Sequence, residues 1–267
     1  MDIFPLSSID SLANIIRDGD IIAVPPDYSF VSMAGTRALI RNNKKNLHLV
    51  AVPQSGIQTD ILIGSGCVEI VEAAAISLGE YGGAPRFLSA LLEKEIVMKD
   101  STCPAIHASL QASEKGLPFI PLRGIIGSDL LKAREDWVLG INPFKENDPV
   151  VMLPPLSPDI ALFHAPFADK NGNIWIGRRR ELMTMAHASK QTLVTVEEVR
   201  EIDLMEDIAL AGSSIPALYI TGISIAPKGA WPLGITNEYQ ADNTNLATYA
   251  KMAQSEAGFL EYMSKYK

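Results

Sequence analysis

Two side chains of this sequence could take a direct part in chemistry, Cys103 and Glu80. Cys103 stands in residues 100–104 (DSTCP), where cap-forming residues followed by proline predict the start of a helix. The positive end of a helix dipole stabilises a thiolate, so Cys103 is a candidate nucleophile, or else a small residue that fills the helix start. Glu80 lies in the glycine-rich residues 78–85 (LGEYGGAP) and is a candidate general base, or else an exposed loop carboxylate.

Three loops carry residues that could hold a substrate. Two of them follow the first and second predicted strands, at the edge of a parallel sheet where ligands bind; the second could orient a substrate carboxylate or be an ordinary turn. The third follows residues 117–121 (LPFIP) and offers a guanidinium, which either pairs with a substrate carboxylate or forms a structural salt bridge. The candidate substrate-binding residues are Pro26, Tyr28, Ser29, Gln54, Ser55, Gly56, Arg123 and Gly124.

The order of apolar segments and turns predicts the elements that position these residues. An amphipathic helix over residues 8–17 leads into a strand at 21–24, a proline loop at 25–29, a helix at 31–41 and a strand at 47–52. This alternation predicts parallel strands joined by right-handed crossovers. The sequence therefore indicates an α/β fold with an open, mainly parallel sheet and flanking helices.

The rest of the chain continues this pattern as a single domain spanning residues 1–267. Residues 158–174 (PDIALFHAPFADKNGNI) predict a buried strand, a tight turn that includes Gly172, and a return strand. Residues 119–150 are rich in Gly, Pro and Asn and are interpreted as an irregular excursion over the sheet edge, with Trp137 and Phe144 as anchors. A strand at 217–225 and an amphipathic helix at 243–262 follow.

Composition narrows the classes of partner. The 267 residues carry a net charge of −8 and are 47% hydrophobic, which argues against nucleic acid or an anionic membrane as a general partner. Two cysteines, Cys67 and Cys103, provide neither a disulfide framework nor a metal quartet. No signal-peptide pattern or membrane-length apolar run is found in the sequence, so we expect a cytoplasmic protein without a metal.

Six short blocks, taken together and in order, resemble the α subunits of family I coenzyme A transferases of the glutaconate type. They are residues 18–20 (DGD), 60–66 (DILIGSG), 117–121 (LPFIP), 142–144 (NPF), 158–174 and 195–198 (TVEE). The resemblance runs over nearly the whole chain. It implies an open sheet of the sugar-phosphate isomerase and CoA transferase type.

The resemblance also implies a function that needs two subunits. In the family, a homologous β subunit carries a glutamate in a Ser-Glu-Asn-Gly setting, which attacks an acyl-CoA and then holds CoA as a glutamyl thioester. That motif does not occur in this sequence. We therefore expect the non-nucleophile half of a CoA transferase that moves CoA between carboxylic acids by a ping-pong route. Its substrates are coenzyme A thioesters and carboxylic acids, and no permanently bound cofactor is expected.

Two departures from the family pattern fall where substrate should lie. Family members commonly have Gln at the start of the helix before the G-L-P-F stop, and an ungapped count places Cys103 there. They also commonly have Gly-Gly after the first strand, where this chain has Pro25-Pro26, which removes backbone donors. The alternatives are therefore the α subunit of a hydrolase that opens a cyclic diketone acyl-CoA, or a non-catalytic ligand-binding α/β protein.

Overall fold

The computed structural model describes residues 5–266. The strands are β1 Ile21–Val24, β2 Leu47–Ala51, β3 Gln54–Ser55, β4 Val68–Ala73, β5 Ala75–Ile76, β6 Val97–Asp100, β7 Ile120–Leu122, β8 Val138–Ile141, β9 Pro149–Leu153, β10 Ile160–Asp169, β11 Ile174–Trp175, β12 Gln191–Arg200, β13 Ser214–Ile215 and β14 Gly222–Ile225. The helices are α1 Ile9–Ile15, α2 Met33–Arg41, α3 Ile57–Gly64, α4 Pro85–Leu92, α5 Cys103–Glu114, α6 Leu130–Ala133, α7 Arg180–Ala188, α8 Ile208–Ala211, α9 Asn243–Met252 and α10 Glu256–Tyr266. Two 3-10 turns lie at Gly79–Tyr81 and Ala217–Tyr219.

The central sheet is open and mainly parallel, as predicted. Its parallel strands lie side by side in the order β14-β12-β10-β1-β2-β4-β6. Beyond the end of β1, the long strand β10 pairs instead with the antiparallel β11, which continues to β13. The α/β fold expected from the alternating pattern is therefore confirmed.

Alternation along each strand separates two hydrophobic layers. In β1, Ile22 and Val24 join the layer that includes α1, α2, α3, α4, α9 and α10, whereas Ala23 joins the layer that includes α5 and α7. All ten residues of β10 are buried, as expected for a central strand covered on both faces. The predicted turn after it is present: Asp169 Oδ1 accepts from the backbone N–H groups of Asn171 and Asn173, both at 2.9 Å, and Gly172 has φ of 88°.

The order of the strands changes direction at β1. From β1 the chain proceeds outward through β2, β4 and β6, and it then returns to the other side of β1 to add β10, β12 and β14. The loop after β1 therefore lies at the topological switch point, where open α/β sheets leave a crevice for ligands.

Residues 119–150 are more regular than the sequence predicts. They contain β7, α6 and β8, and with β9 they form a separate three-stranded antiparallel sheet in the order β7-β9-β8. This sheet has a small core of its own that includes Ile125, Trp137 and Val151. Trp137 is an anchor, as expected, but Phe144 is 94% exposed, so its assignment as an anchor is wrong. Periodicity over three-residue strands is too short to reveal such a sheet.

Two further elements differ from the prediction. The strand expected at 217–225 is shortened to β14, because Pro216 precedes a 3-10 turn in which Leu218 points to solvent. The helix expected at 243–262 is divided into α9 and α10. At the division, a Cβ on Gly258 would lie 2.2 Å from the carbonyl oxygen of Met252, so the chain packs too closely there for a larger residue.

Arg134 joins the small antiparallel sheet to the central one. Its guanidinium is 5% exposed and lies 2.9 Å from Glu72 of β4 and 2.8 Å from Asp136, and it donates to the carbonyl oxygen of Asp100 at 3.1 Å. The same group lies 4.4 Å from the centroid of the Trp137 ring. Removing one partner of a buried ion pair destabilises the fold, because the other charge stays buried without compensation.

We therefore expect Arg134→Met to lower the free energy of unfolding by about 3–5 kcal/mol, because the buried Glu72 loses the guanidinium and keeps only His48, 3.6 Å away. Urea denaturation followed by Trp fluorescence measures the effect. Arg123→Met is the matched control: Arg123 belongs to the same small sheet, but its side chain is 61% exposed and pairs with Asp148 at the surface, so little change is expected. Equal losses for the two variants would contradict the assignment of Arg134 as the anchor.

Candidate functional site

A cleft of about 290 Å³ opens at the carboxyl ends of β1 and β2, beside the switch point. Four of the predicted site residues line it: Tyr28, Gln54, Ser55 and Glu80. The other lining residues are Asp27, Ile57, Ser77, Leu78, Gly79, Tyr81, Leu233, Leu246 and Tyr249. The cleft is at the small end of the range for ligand sites and suits a short, mainly apolar group.

The loop after β2 is held open by a local pairing. Gln54 and Ser55 form β3, which pairs in parallel with Ala75 and Ile76 of β5 and so places both residues on the wall of the cleft. The Ser55 hydroxyl accepts a hydrogen bond from Thr59 Oγ1 at 2.9 Å. The Gln54 side chain is exposed and is therefore the freer of the two to contact a ligand.

Gly56 is the cap residue that precedes α3, and it allows a close approach from the first loop. A Cβ at this position would lie 2.2 Å from Asp27 Oδ2 and 2.6 Å from the carbonyl oxygen of Ser77. The Asp27 carboxyl group occupies that space and accepts a hydrogen bond from the backbone N–H of Ile57 at 3.1 Å. The structure thus assigns Gly56 a packing role beneath the cleft.

Asp27 is half-buried, and its carboxyl group is incompletely bonded. Among the described residues, Oδ1 has no hydrogen-bond partner and is buried. Burial raises the pKa of Asp27 to about 6, against the lowering effect of the backbone N–H groups of Ile57 and Gly56. Asp60, one turn along α3, adds a smaller upward shift.

Asp60 is the second buried carboxyl group of this layer, and its bonds are satisfied. It accepts hydrogen bonds from the Tyr249 hydroxyl at 2.6 Å and from the backbone N–H of Phe87 at 2.7 Å. Burial raises its pKa to about 6, and these hydrogen bonds oppose the shift. Asp60 thereby connects α3 to α4 and α9, which carries Tyr249 to the cleft wall.

The same first loop contacts α7 on the opposite face of the sheet. The Ser29 hydroxyl donates to Glu181, and the Arg179 guanidinium lies 5.3 Å from the centroid of the Tyr28 ring. Burial raises the pKa of Tyr28, Glu181 and Cys103 raise it further, and Arg179 opposes them. Tyr28 therefore keeps its proton and can donate a hydrogen bond at the mouth of the cleft.

Cys103 is the first residue of α5, and its side chain is exposed. Thr102 caps the helix by accepting from the backbone N–H of Ala105 at 3.2 Å, and Pro104 follows, so the predicted helix start is present. Cys103 is not among the residues that line the cleft, although it is close enough to Tyr28 to influence the pKa of that residue. Cys67, in contrast, is buried, and burial raises its pKa to about 11.

The remaining predicted residues lie at different distances from the cleft. Glu80 is exposed, on the 3-10 turn at the cleft rim. Pro26 is buried in the first loop, where its carbonyl oxygen accepts from the backbone N–H of Ser29 at 2.8 Å. Arg123 and Gly124 follow β7 in the small antiparallel sheet and are not among the lining residues, and Arg123 pairs with Asp148.

The sequence analysis did not predict Asp27, nor the residues that line the cleft from distant segments of the chain. Asp27 had an available signal, since it is an acidic residue directly after a strand at the carboxyl edge of a parallel sheet. Leu233, Leu246 and Tyr249 had none, because they reach the cleft only through the packing of α9 and the preceding loop.

Within residues 5–266, no group of three or more His, Cys, Asp and Glu side chains could hold a metal ion. None of the helices described is long and apolar enough to cross a membrane.

The chain belongs to the coenzyme A transferase family, whose model matches residues 6–226. It is similar to the A-type subunits of two members: 3-oxoadipate CoA-transferase of Pseudomonas knackmussii, at 26% identity over 96% of this chain and 91% of that protein, and glutaconate CoA-transferase of Acidaminococcus fermentans, at 29% over 94% and 83%. An uncharacterized protein of Archaeoglobus fulgidus is 30% identical over 98% of this chain, which spans only 58% of that protein.

Solved structures agree with this assignment. The glutaconate coenzyme A-transferase of Acidaminococcus fermentans superposes with a TM-score of 0.89 at 24% identity, over 98% of this chain and 88% of that one. The decarboxylase AibA/AibB superposes with a TM-score of 0.85 at 27% identity, over 99% and 100%. The fold of this chain is thus that of the solved relatives, and the expected resemblance to the CoA-transferase family is confirmed.

The raised pKa of Asp27 has a consequence for stability. Because its value of about 6 in the folded state exceeds the 3.8 of an ordinary Asp, ionisation of Asp27 favours unfolding as the pH rises from 4 through 6. Asp27→Asn removes that charge and keeps an oxygen for the Ile57 N–H. We expect the variant to be more stable than the wild type by up to about 3 kcal/mol at pH 8, and by much less at pH 4.

Chemical denaturation at the two pH values measures this gain. Glu80→Gln is the matched control, since it removes an exposed carboxylate from the same cleft and should leave the pH dependence unchanged. An Asp27→Asn variant with the wild-type stability profile at both pH values would show that the Asp27 carboxyl is not buried in the ionised form.

Proposed function

We propose that this chain is the non-nucleophile α subunit of a CoA transferase that moves CoA between carboxylic acids. The observation that carries the proposal is the cleft at the switch point of a chain that matches the A-type subunits of two CoA-transferases. A homologous β subunit supplies the attacking glutamate. The protein works in the cytoplasm, where CoA thioesters are made and used.

The reaction consists of balanced acyl exchanges. The partner's glutamate carboxylate attacks the thioester carbonyl, and the CoA thiolate leaves, which gives an acyl-glutamyl anhydride. The thiolate then attacks the glutamyl carbonyl, releases the first carboxylic acid and forms glutamyl-CoA. A second carboxylic acid reverses both steps and leaves with CoA.

The need for a partner subunit is supported by the lack of a suitable nucleophile among the carboxylates discussed for this chain. The Ser-Glu-Asn-Gly setting does not occur in its sequence. Asp27 is fixed against Gly56 with one oxygen on α3, so it is poorly placed for attack. Glu80 remains the candidate general base, since it is exposed at the rim.

The main contribution of this chain to the transition state is a hydrogen-bond donor at the cleft mouth. Family members commonly use a Gln amide there, and this chain has Cys103, whose thiol is a weaker donor. We assign the role to the Tyr28 hydroxyl, held by Arg179 and kept protonated, with Cys103 beside it. Ser29 is less suitable, because its hydroxyl already donates to Glu181.

The other predicted residues act as supports in this proposal. Gln54 and Ser55 orient the acyl group along the cleft wall, and Pro26 stiffens the first loop. Arg123 and Gly124 contact substrate only if the acid extends to the small antiparallel sheet and displaces Asp148.

The hydrolase alternative uses the same cleft with water as the acceptor. The non-catalytic alternative is weakened by the family assignment.

The test is an exchange assay with the chain co-expressed with its partner. We expect CoA to pass from an acyl-CoA to a second carboxylic acid, with no exchange when either of the two polypeptides is assayed by itself. Tyr28→Phe in the assembled enzyme should lower kcat about 10²–10³-fold, as for loss of an oxyanion donor. Tyr219→Phe, an exposed tyrosine beside His187 and outside the cleft, should not.

Two results would refute the proposal. Full exchange by this chain alone would mean that it contains its own nucleophile. Release of free CoA in step with water consumption, with no acceptor acid required, would establish the hydrolase instead.

Cys103 allows a separate test of the site's position. Iodoacetamide should label Cys103 and spare Cys67 in the folded protein, because only Cys103 is exposed. Acyl-CoA should slow the labelling in the assembled enzyme, since the thioester covers the cleft mouth. Cys103→Ser identifies the labelled position. Labelling at an unchanged rate with saturating acyl-CoA would place the substrate elsewhere.

A further inference from the structure

The cleft has an unusual distribution of charge for an enzyme that handles acids. Two carboxylates, Asp27 and Glu80, line it, and none of its lining residues among those the structure describes is Lys or Arg. Asp27 is half-buried with its Oδ1 atom inaccessible to water, whereas Glu80 is exposed. A half-buried charge is screened less than an exposed one, so an ionised Asp27 acts on a group inside the cleft more strongly than Glu80 does.

The walls favour a short apolar chain. Ile57, Leu78, Leu233 and Leu246 supply aliphatic surface, and the volume of about 290 Å³ accommodates a short acyl group but not the CoA moiety. If the thioester lies at Tyr28, the distal end of the acyl chain shares the cleft with Asp27.

We propose that Asp27 sets the acyl specificity of this enzyme: it excludes acyl groups that carry a second carboxylate and admits uncharged monocarboxylic acyl chains. This inference rests on the proposed function and names its substrate class. It distinguishes the chain from the subunits named for glutaconate and 3-oxoadipate, which are dicarboxylates. The carboxyl group of Asp27 is held in place by the hydrogen bond from the Ile57 N–H and by its close approach to Gly56.

The exclusion depends on pH, because Asp27 must be ionised to repel a carboxylate. Its pKa of about 6 means that the charge is present at pH 8 and is mostly lost at pH 5.5. The other titratable groups that face it are Asp60 from α3, Glu80 and Tyr81 from the rim, Tyr28 from its own loop and Tyr249 from α9. Asp60 also has a pKa of about 6 and adds to the same effect.

The experiment compares two thioesters of equal chain length, pentanoyl-CoA and glutaryl-CoA, with the assembled enzyme. Isothermal titration calorimetry gives the ratio of their dissociation constants, and exchange rates give the ratio of kcat/KM. We expect the wild type to prefer pentanoyl-CoA by tenfold or more at pH 8 and less at pH 5.5. In Asp27→Asn the preference should be small at both pH values, and in Glu80→Gln most of it should remain.

Each outcome bears on one hypothesis or both. Equal binding of the two thioesters by the wild type at pH 8, or an unchanged ratio in Asp27→Asn, would overturn the role of Asp27. The expected binding ratios without any exchange would support Asp27 and refute the transferase. If neither thioester binds, both proposals fail.

Discussion

The contact between the Asp27 carboxyl group and Gly56 is the constraint on which the candidate site depends. It fixes the loop after β1 against the start of α3, at the point where the sheet changes direction. A side chain at position 56 would displace the carboxyl group, and with it the turn that presents Tyr28 and Ser29. The glycine is thus required by close approach, since a Cβ at position 56 would lie 2.2 Å from Asp27 Oδ2.

The architecture was predictable because its signals are local. Apolar runs such as that at the start of β10, turn formers such as Gly172, and the helix start at Cys103 each depend on a few neighbouring residues. The cleft was predictable in outline for a related reason: loops that follow parallel strands must lie at one edge of the sheet. Tyr28, Gln54 and Ser55 were predicted on that argument, and Glu80, predicted from its glycine-rich loop, lines the same cleft.

What the sequence did not reveal depends on contacts between distant segments. The small antiparallel sheet depends on pairing between β7, β8 and β9 and on the burial of Arg134 against Glu72, which lies far away in the chain. The protonation state of Asp27 likewise depends on its burial in the fold, which the residue type alone does not indicate. A formal charge in a sequence does not indicate whether water screens it, and here that difference separates Asp27 from Glu80.

The first loop also connects the two faces of the molecule. Asp27 is bound to α3 on one side of the sheet, and within two residues Ser29 is bound to α7 on the other. The two prolines before Asp27 leave this short segment little freedom to absorb a displacement. Tyr28, between these two attachments, lines the cleft on one side and stacks near Arg179 at the start of α7 on the other, so one short segment belongs to both faces of the sheet.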